Sequence, residues 1–206
     1  MNKTIKLLIL SDTFLITGFG LISPILAIFI NSNLAGGTIF MAGLASTIFL
    51  MTKSVIQLPF SRYVDSHEGK IKWLLIGSFL IATVPFIYMF AKHVYVIYIA
   101  QVVYGIGCAL SYPVWLGLFS TNLDKKHEGF EWSIYQTSVG IGVAAAGAVG
   151  AAIAQFFSFQ LTFLLVGAMS LIGCLILFGL ENENHKKHIK NLHHYSKMKH
   201  LHRDYR

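Results

Sequence analysis

Six apolar runs decide what this chain can fold into. They cover roughly 7–30, 40–60, 73–91, 94–119, 133–157 and 161–180. Each approaches or exceeds the ~20 residues that an α-helix needs to cross the hydrocarbon layer of a bilayer. At that depth no water is present to satisfy peptide N–H and C=O groups, so each run is expected to be a helix. Charged residues make up only 12% of the chain, about half of the usual ~25% of soluble domains, and they cluster between the runs. The expected fold is therefore an all-α integral membrane protein with a six-helix domain over 1–180 and a basic tail over 181–206. The first run is too long for a signal-peptide core and is followed by no small-residue cleavage site, so it reads as a retained helix.

Lys and Arg set the orientation. With the N-terminus placed in the cytoplasm, the inner segments hold Lys3, Lys6, Arg62, Lys70, Lys72, Lys125, Lys126 and seven cations of the tail, and the outer loops hold only Lys92. This bias is the positive-inside pattern, and it puts both termini in the cytoplasm of a cell-membrane protein. It also accounts for the net charge of +7 without nucleic acid as a partner. The two cysteines fall within spans and imply neither a disulfide framework nor a zinc site. Six histidines crowd the tail, where a basic segment lying on anionic lipid is the favoured reading over weak metal binding. No cofactor, resident metal or catalytic set is expected: nucleophile–base pairs, phosphate loops and paired carboxylates are missing from the sequence.

The fifth run contains GIGVAAAGAVGAAIA, residues 140–154, with almost no side-chain bulk. Small residues let helix backbones approach closely in lipid. Gly140, Ala144, Gly147 and Ala151 recur at helical spacing and are expected to form one smooth contact face.

Charge inside a span costs about 2.5–3.5 kcal/mol on insertion scales and marks candidate functional positions. Two such residues occur, Asp12 and Lys53. At a 1.5 Å rise per residue they lie at similar depths, roughly 9 and 12 Å from the cytoplasmic side. They are expected to pair or to face one watery cavity; the alternative is that Lys53 snorkels to the headgroups while Asp12 caps a ragged helix start. Polar and aromatic stripes accompany them at helical spacing. Asp12, Phe19 and Ser23 align on the first span; Ser46, Leu50, Lys53 and Gln57 on the second; Gln101, Tyr104, Cys108, Tyr112 and Trp115 on the fourth. Such stripes suit a solvated central cavity, or else hydrogen bonding between helices. Pro24, Pro59 and Pro113 permit bends. Trp73 and Trp132 fall at predicted membrane boundaries.

A faint internal repeat adds to this. GFGLISP in the first span and GIGCALSYP in the fourth both run Gly-x-Gly and then Ser and Pro. They open two groups of three spans, so the copies are expected in inverted orientation, as in many secondary transporters.

Together these residues resemble the N-terminal half of a major facilitator superfamily carrier. The fifth span is similar to that family's antiporter motif, with Gly142, four residues, then Gly147, Ala148, Val149 and Gly150. The loop after span two, Ser61-Arg62-Tyr63-Val64-Asp65 and on to Gly69-Lys70, resembles its signature loop with Asp65 kept and Ser61 in place of the leading Gly. Span one has the family's Gly-rich turn before Pro24, and KKHEGFEWSIYQTSVGIG resembles the usual approach to helix five. The resemblance implies transport of a small solute, with no enzymatic activity, by alternating access between two six-helix halves. It gives Arg62, Asp65, Gly69 and Lys70 the role of a cytoplasmic gate loop, and Gly142, Gly147 and Gly150 that of helix packing. Asp12, Ser23, Lys53, Gln57, Gln101, Tyr104 and Tyr112 are the candidates for substrate cavity or coupling. Where proton-coupled members often carry Arg four residues before a Gly, this chain has Gln101. One half implies a partner: a second copy in a homodimer, or a separate six-helix half. The competing reading is a non-transporting or truncated half that assembles with another membrane protein.

Overall fold

The computed structural model describes residues 1–67 and 69–180; the His-rich tail expected over 181–206 lies outside them. The described chain is α1 (Lys3–Ile22), a short α2 (Leu26–Asn33), α3 (Ile39–Asp65), α4 (Lys70–Met89), α5 (Val94–Asn122) and α6 (Glu128–Phe156), followed by α7 (Phe159–Leu180). Six of these helices are long and apolar enough to cross a membrane. Among the described residues no β-strand forms; an isolated bridge joins Ala35 to His93 between two loops.

The six expected spans are present, with one correction. Span one is not a single helix. Proline has no N–H and its ring opposes the carbonyl one turn back, so the chain leaves the helix at Pro24 and restarts as α2. Pro59 and Pro113 are instead carried within α3 and α5. Those two helices and α6 run past their apolar stretches to polar ends at Asp65, Asn122 and Glu128.

Successive spans alternate in direction. The N-terminus, the α3–α4 turn, the α5–α6 loop and Leu180 therefore share one end of the bundle, called the terminal end below. A core cluster joins Ile5, Ile71, Phe119 and Leu180 there, and Asn2 Nδ2 donates to Asn122 Oδ1 at 3.2 Å. A second cluster fills the opposite end, from Phe29 and Leu34 to Val94 and Phe163. The α3–α4 reversal is short because Gly69, which precedes α4, takes φ 81°, a conformation strained for residues with a Cβ. In the first turn of α6 Glu131 is buried, and its Oε2 accepts from the Asp124 amide of the α5–α6 connection at 3.1 Å while Oε1 lies 3.3 Å from the Met1 amino nitrogen. Those partners supply what a buried carboxylate requires. The Lys126 amide and then the His127 ring hold the exposed Asp124 carboxyl below the usual carboxylate range.

Helix pairing follows the small residues. Among α1–α6 the most extensive pairs are α4 with α5, α3 with α5, and α1 with α6, and α7 packs on α1 where Gly173 meets Ser11 and Leu15. A Cβ on Gly150 would come 2.6 Å from Leu21 Cα of α1, and one on Gly142 would come 3.3 Å from Thr17 Cβ. The first distance is shorter than real side chains show; the second is tight, and a Cβ on Gly142 would also run into the Thr17 hydroxyl, so glycine is favoured at both points of the seam. The expected face is corrected here: Gly140 and Gly147 have open space around them. The seam runs instead through Gly142, Ala146 and Gly150, on another side of α6, because those positions meet the Gly20–Leu21 turn of α1. On the other side of the bundle Gly77 of α4 lies against the Gly107 carbonyl of α5.

Gly150→Leu is expected to lower the unfolding free energy by about 1–3 kcal/mol through overpacking. Gly147→Leu, which enters open space, is expected to stay within about 0.5 kcal/mol. Thermal unfolding of the two variants in detergent distinguishes them; equal losses would contradict the assigned seam.

Candidate functional site

The polar stripes of α1, α3 and α5 turn toward one another, with Leu50 and Tyr112 on them exposed. They border a partly open central cavity of about 260 Å³, lined by Asp12, Lys53, Tyr104, Cys108, Tyr112 and Trp115 among others. Asp12 and Lys53 thus face one cavity from two helices, and they do not pair with each other. Asp12 Oδ2 accepts from the Tyr135 hydroxyl of α6 at 2.6 Å, within the short range of charge-assisted hydrogen bonds. Lys53 Nζ stands 5.0 Å from the centre of the Tyr112 ring, a cation–π distance. Each charge therefore has a neutral aromatic partner from another helix. Trp115 is fixed behind them: its Nε1 donates to the Leu8 carbonyl at 3.4 Å, and its ring stacks on Phe119 at 4.8 Å.

Not every expected residue reaches this chamber. Ser23 and Gln101 line a second cavity of about 350 Å³ toward the far end, with Ser46 and Tyr88. Gln57 lines a third, of about 390 Å³, at the terminal end with Ser61, Asp65 and Ser120. Tyr104 borders both the central and far cavities, and Tyr112 both the central and terminal ones. One polar stripe per helix is thus divided along the bundle axis by tyrosines. Asp65 and Lys70 of the expected gate loop lie 3.7 Å apart across the α3–α4 turn, both side chains well exposed. Arg62 sits exposed in the last turn of α3. Among the described residues no group of three or more His, Cys, Asp or Glu side chains is placed to hold a metal ion.

Tyr135, which lines the central cavity and donates to Asp12, is a candidate-site residue that sequence reasoning missed. It lies near the start of the fifth apolar run, outside the three striped spans, and its signal was a lone phenol at membrane depth. Phe19 was aligned with Asp12 from the sequence; Phe49, also at the cavity wall, was not distinguishable from a lipid-facing residue.

The sequence profile of the Major Facilitator Superfamily matches residues 8–203. The fold is similar to that of the POT family transporter PepTSo, known from an in meso crystal structure, with a TM-score of 0.70 at 15% identity. That likeness is one of fold. It covers 86% of this chain and 37% of the solved one, so the chain spans well under half of that carrier's length. No curated relative matches the sequence. With the family profile matching across nearly the whole chain, the chain belongs to the major facilitator superfamily.

Proposed function

We propose that the chain forms one six-helix half of a secondary carrier that moves a small solute across the cell membrane by alternating access. The observation that carries this reading is the placement of Asp12 and Lys53 on one cavity wall, each held by a ring and not by the other. A mutual ion pair would neutralise both. Charges resting on exchangeable aromatic partners remain available to a solute's polar groups or to water. The asymmetry of Lys and Arg supports cytoplasmic termini. With that orientation the Arg62, Asp65, Gly69 and Lys70 turn faces the cytoplasm, where its charges would hold the inward gate closed.

The packing also supports an inverted three-helix repeat. The fourth span α5 pairs with the second span α3, as the first span α1 pairs with the fifth span α6, the exchange that such a repeat predicts. In the same reading, the second half is supplied by another six-helix body, for which a second copy of this chain is the simplest source. The helices left most open are α3 and α6, with 11% of their apolar windows buried against 44–56% in the other spans.

Two experiments test these points. Purified protein in proteoliposomes is screened against labelled amino acids, sugars, organic acids and organic cations. At least one class is expected to accumulate, and Asp12→Asn or Lys53→Leu should reduce its flux by about tenfold or more, as loss of a ~1.4 kcal/mol interaction does, with unchanged thermal stability. Flux that survives both substitutions would remove these residues from the site. Separately, light scattering in mild detergent should give a protein mass near twice the 22.9 kDa monomer; a strict monomer would contradict self-assembly.

A further inference from the structure

The central and far cavities share four lining residues, Ile16, Phe19, Phe49 and Tyr104. Three of these are rings, and they are stacked. Tyr104 lies against Phe19 with centroids 4.6 Å apart and planes 8° from parallel, and against Phe49 at 4.4 Å and 17°. The result is a three-ring stack, Phe19–Tyr104–Phe49, built from α1, α5 and α3. It stands between the chamber of Asp12 and Lys53 and the chamber of Ser23, Ser46 and Gln101.

We propose that this stack is an aromatic partition across the solute path, and that Tyr104 is its central leaf and a specificity-determining residue. The ring must leave the stack before water or solute can pass between the two chambers. The backbones around it argue for a moving ring and fixed helices. Gly105, next to Tyr104, presses α5 onto α3: a Cβ there would lie 2.8 Å from Thr52 Cβ and 2.9 Å from the Phe49 carbonyl. Phe19 is flanked by Gly18 and Gly20, whose added Cβ atoms would stand 3.3 Å from Met169 of α7 and 3.3 Å from Ala146 of α6. Each outer leaf of the stack is thus clamped through close backbone contact. Tyr104 lies between them with a ring against each of its faces, so rotation of its side chain about staggered χ angles opens the path without moving a helix. The stack also restricts what crosses: a solute replaces ring–ring contacts only if it offers a planar or apolar face of its own.

The proposal rests on reading the two cavities as parts of one path, and its test does not depend on flux. Cys108 lines the central chamber. With Cys174→Ala it becomes the single thiol of the full chain. A charged, membrane-impermeant methanethiosulfonate is applied to right-side-out and inside-out vesicles, and initial labelling rates are compared. Labelling of Cys108 is expected from the terminal side at a rate at least tenfold above that from the far side. Tyr104→Ala should abolish this sidedness, and Tyr104→Phe, which keeps the ring, should retain it. Equal labelling of the parent from both sides would overturn the proposal. So would one-sided labelling, or none, in a Tyr104→Ala protein that elutes and melts like the parent. If Tyr104→Ala does not fold, Phe49→Ala removes an outer leaf and is held to the same outcomes. No flux of any solute class with sidedness intact would count against the transport reading and leave the partition standing; flux in a parent labelled equally from both sides would do the reverse.

Discussion

Close backbone contact at glycine is the interaction on which the rest of this structure depends. In lipid, apolar side chains gain little by facing one another, so helix association relies on packing and on hydrogen bonds between helices. Here Gly142 and Gly150 seat α6 on α1, Gly105 seats α5 on α3, and Gly77 meets Gly107 where α4 crosses α5. These contacts set the helix spacing, and the cavities are what remains between them. A bulkier residue at any of these points would move a wall of the polar path as well as loosen the bundle.

The cavities gain their character from what the seams leave inward. Asp12 and Lys53 face one chamber from α1 and α3, and Tyr135 and Tyr112 reach them from α6 and α5. The aromatic partners matter because a buried charge needs satisfied hydrogen bonds or a favourable field. A phenol or a ring face meets that need while remaining exchangeable. The same tyrosine-rich helix, α5, contributes the residues that border adjoining chambers, Tyr104 on one side and Tyr112 on the other. The borders between adjoining chambers are therefore carried by one helix.

Much of this was legible in the sequence, because bilayer physics leaves few choices. Apolar run length located all six spans, and the intramembrane charges led to the central chamber. What was not legible depended on which side of a helix meets which neighbour. Gly140 and Gly147 share a periodic face as regular as that of Gly142 and Gly150, and only the position of Leu21 on α1 selects the second. The break at Pro24 was written in the residue type, yet Pro59 and Pro113, of the same type, stay within their helices. Tyr135 and Phe49 gained their places at the cavity wall from tertiary packing, which a periodicity on a single helix cannot encode.

The account's central claim is that the stripes of α1, α3 and α5 line a water-filled path within the membrane. The most direct measurement is a cysteine scan along α5 from position 101 to 115, in a background with both native cysteines replaced, read by reaction with a small water-soluble thiol reagent in membranes. The account predicts reactivity with helical period, high at 101, 108 and 112, which line the cavities, and low at Val102, an exposed apolar position on the outer surface that lines none of these three cavities. Uniform inertness along the helix, or reactivity strongest on that outer surface, would contradict it.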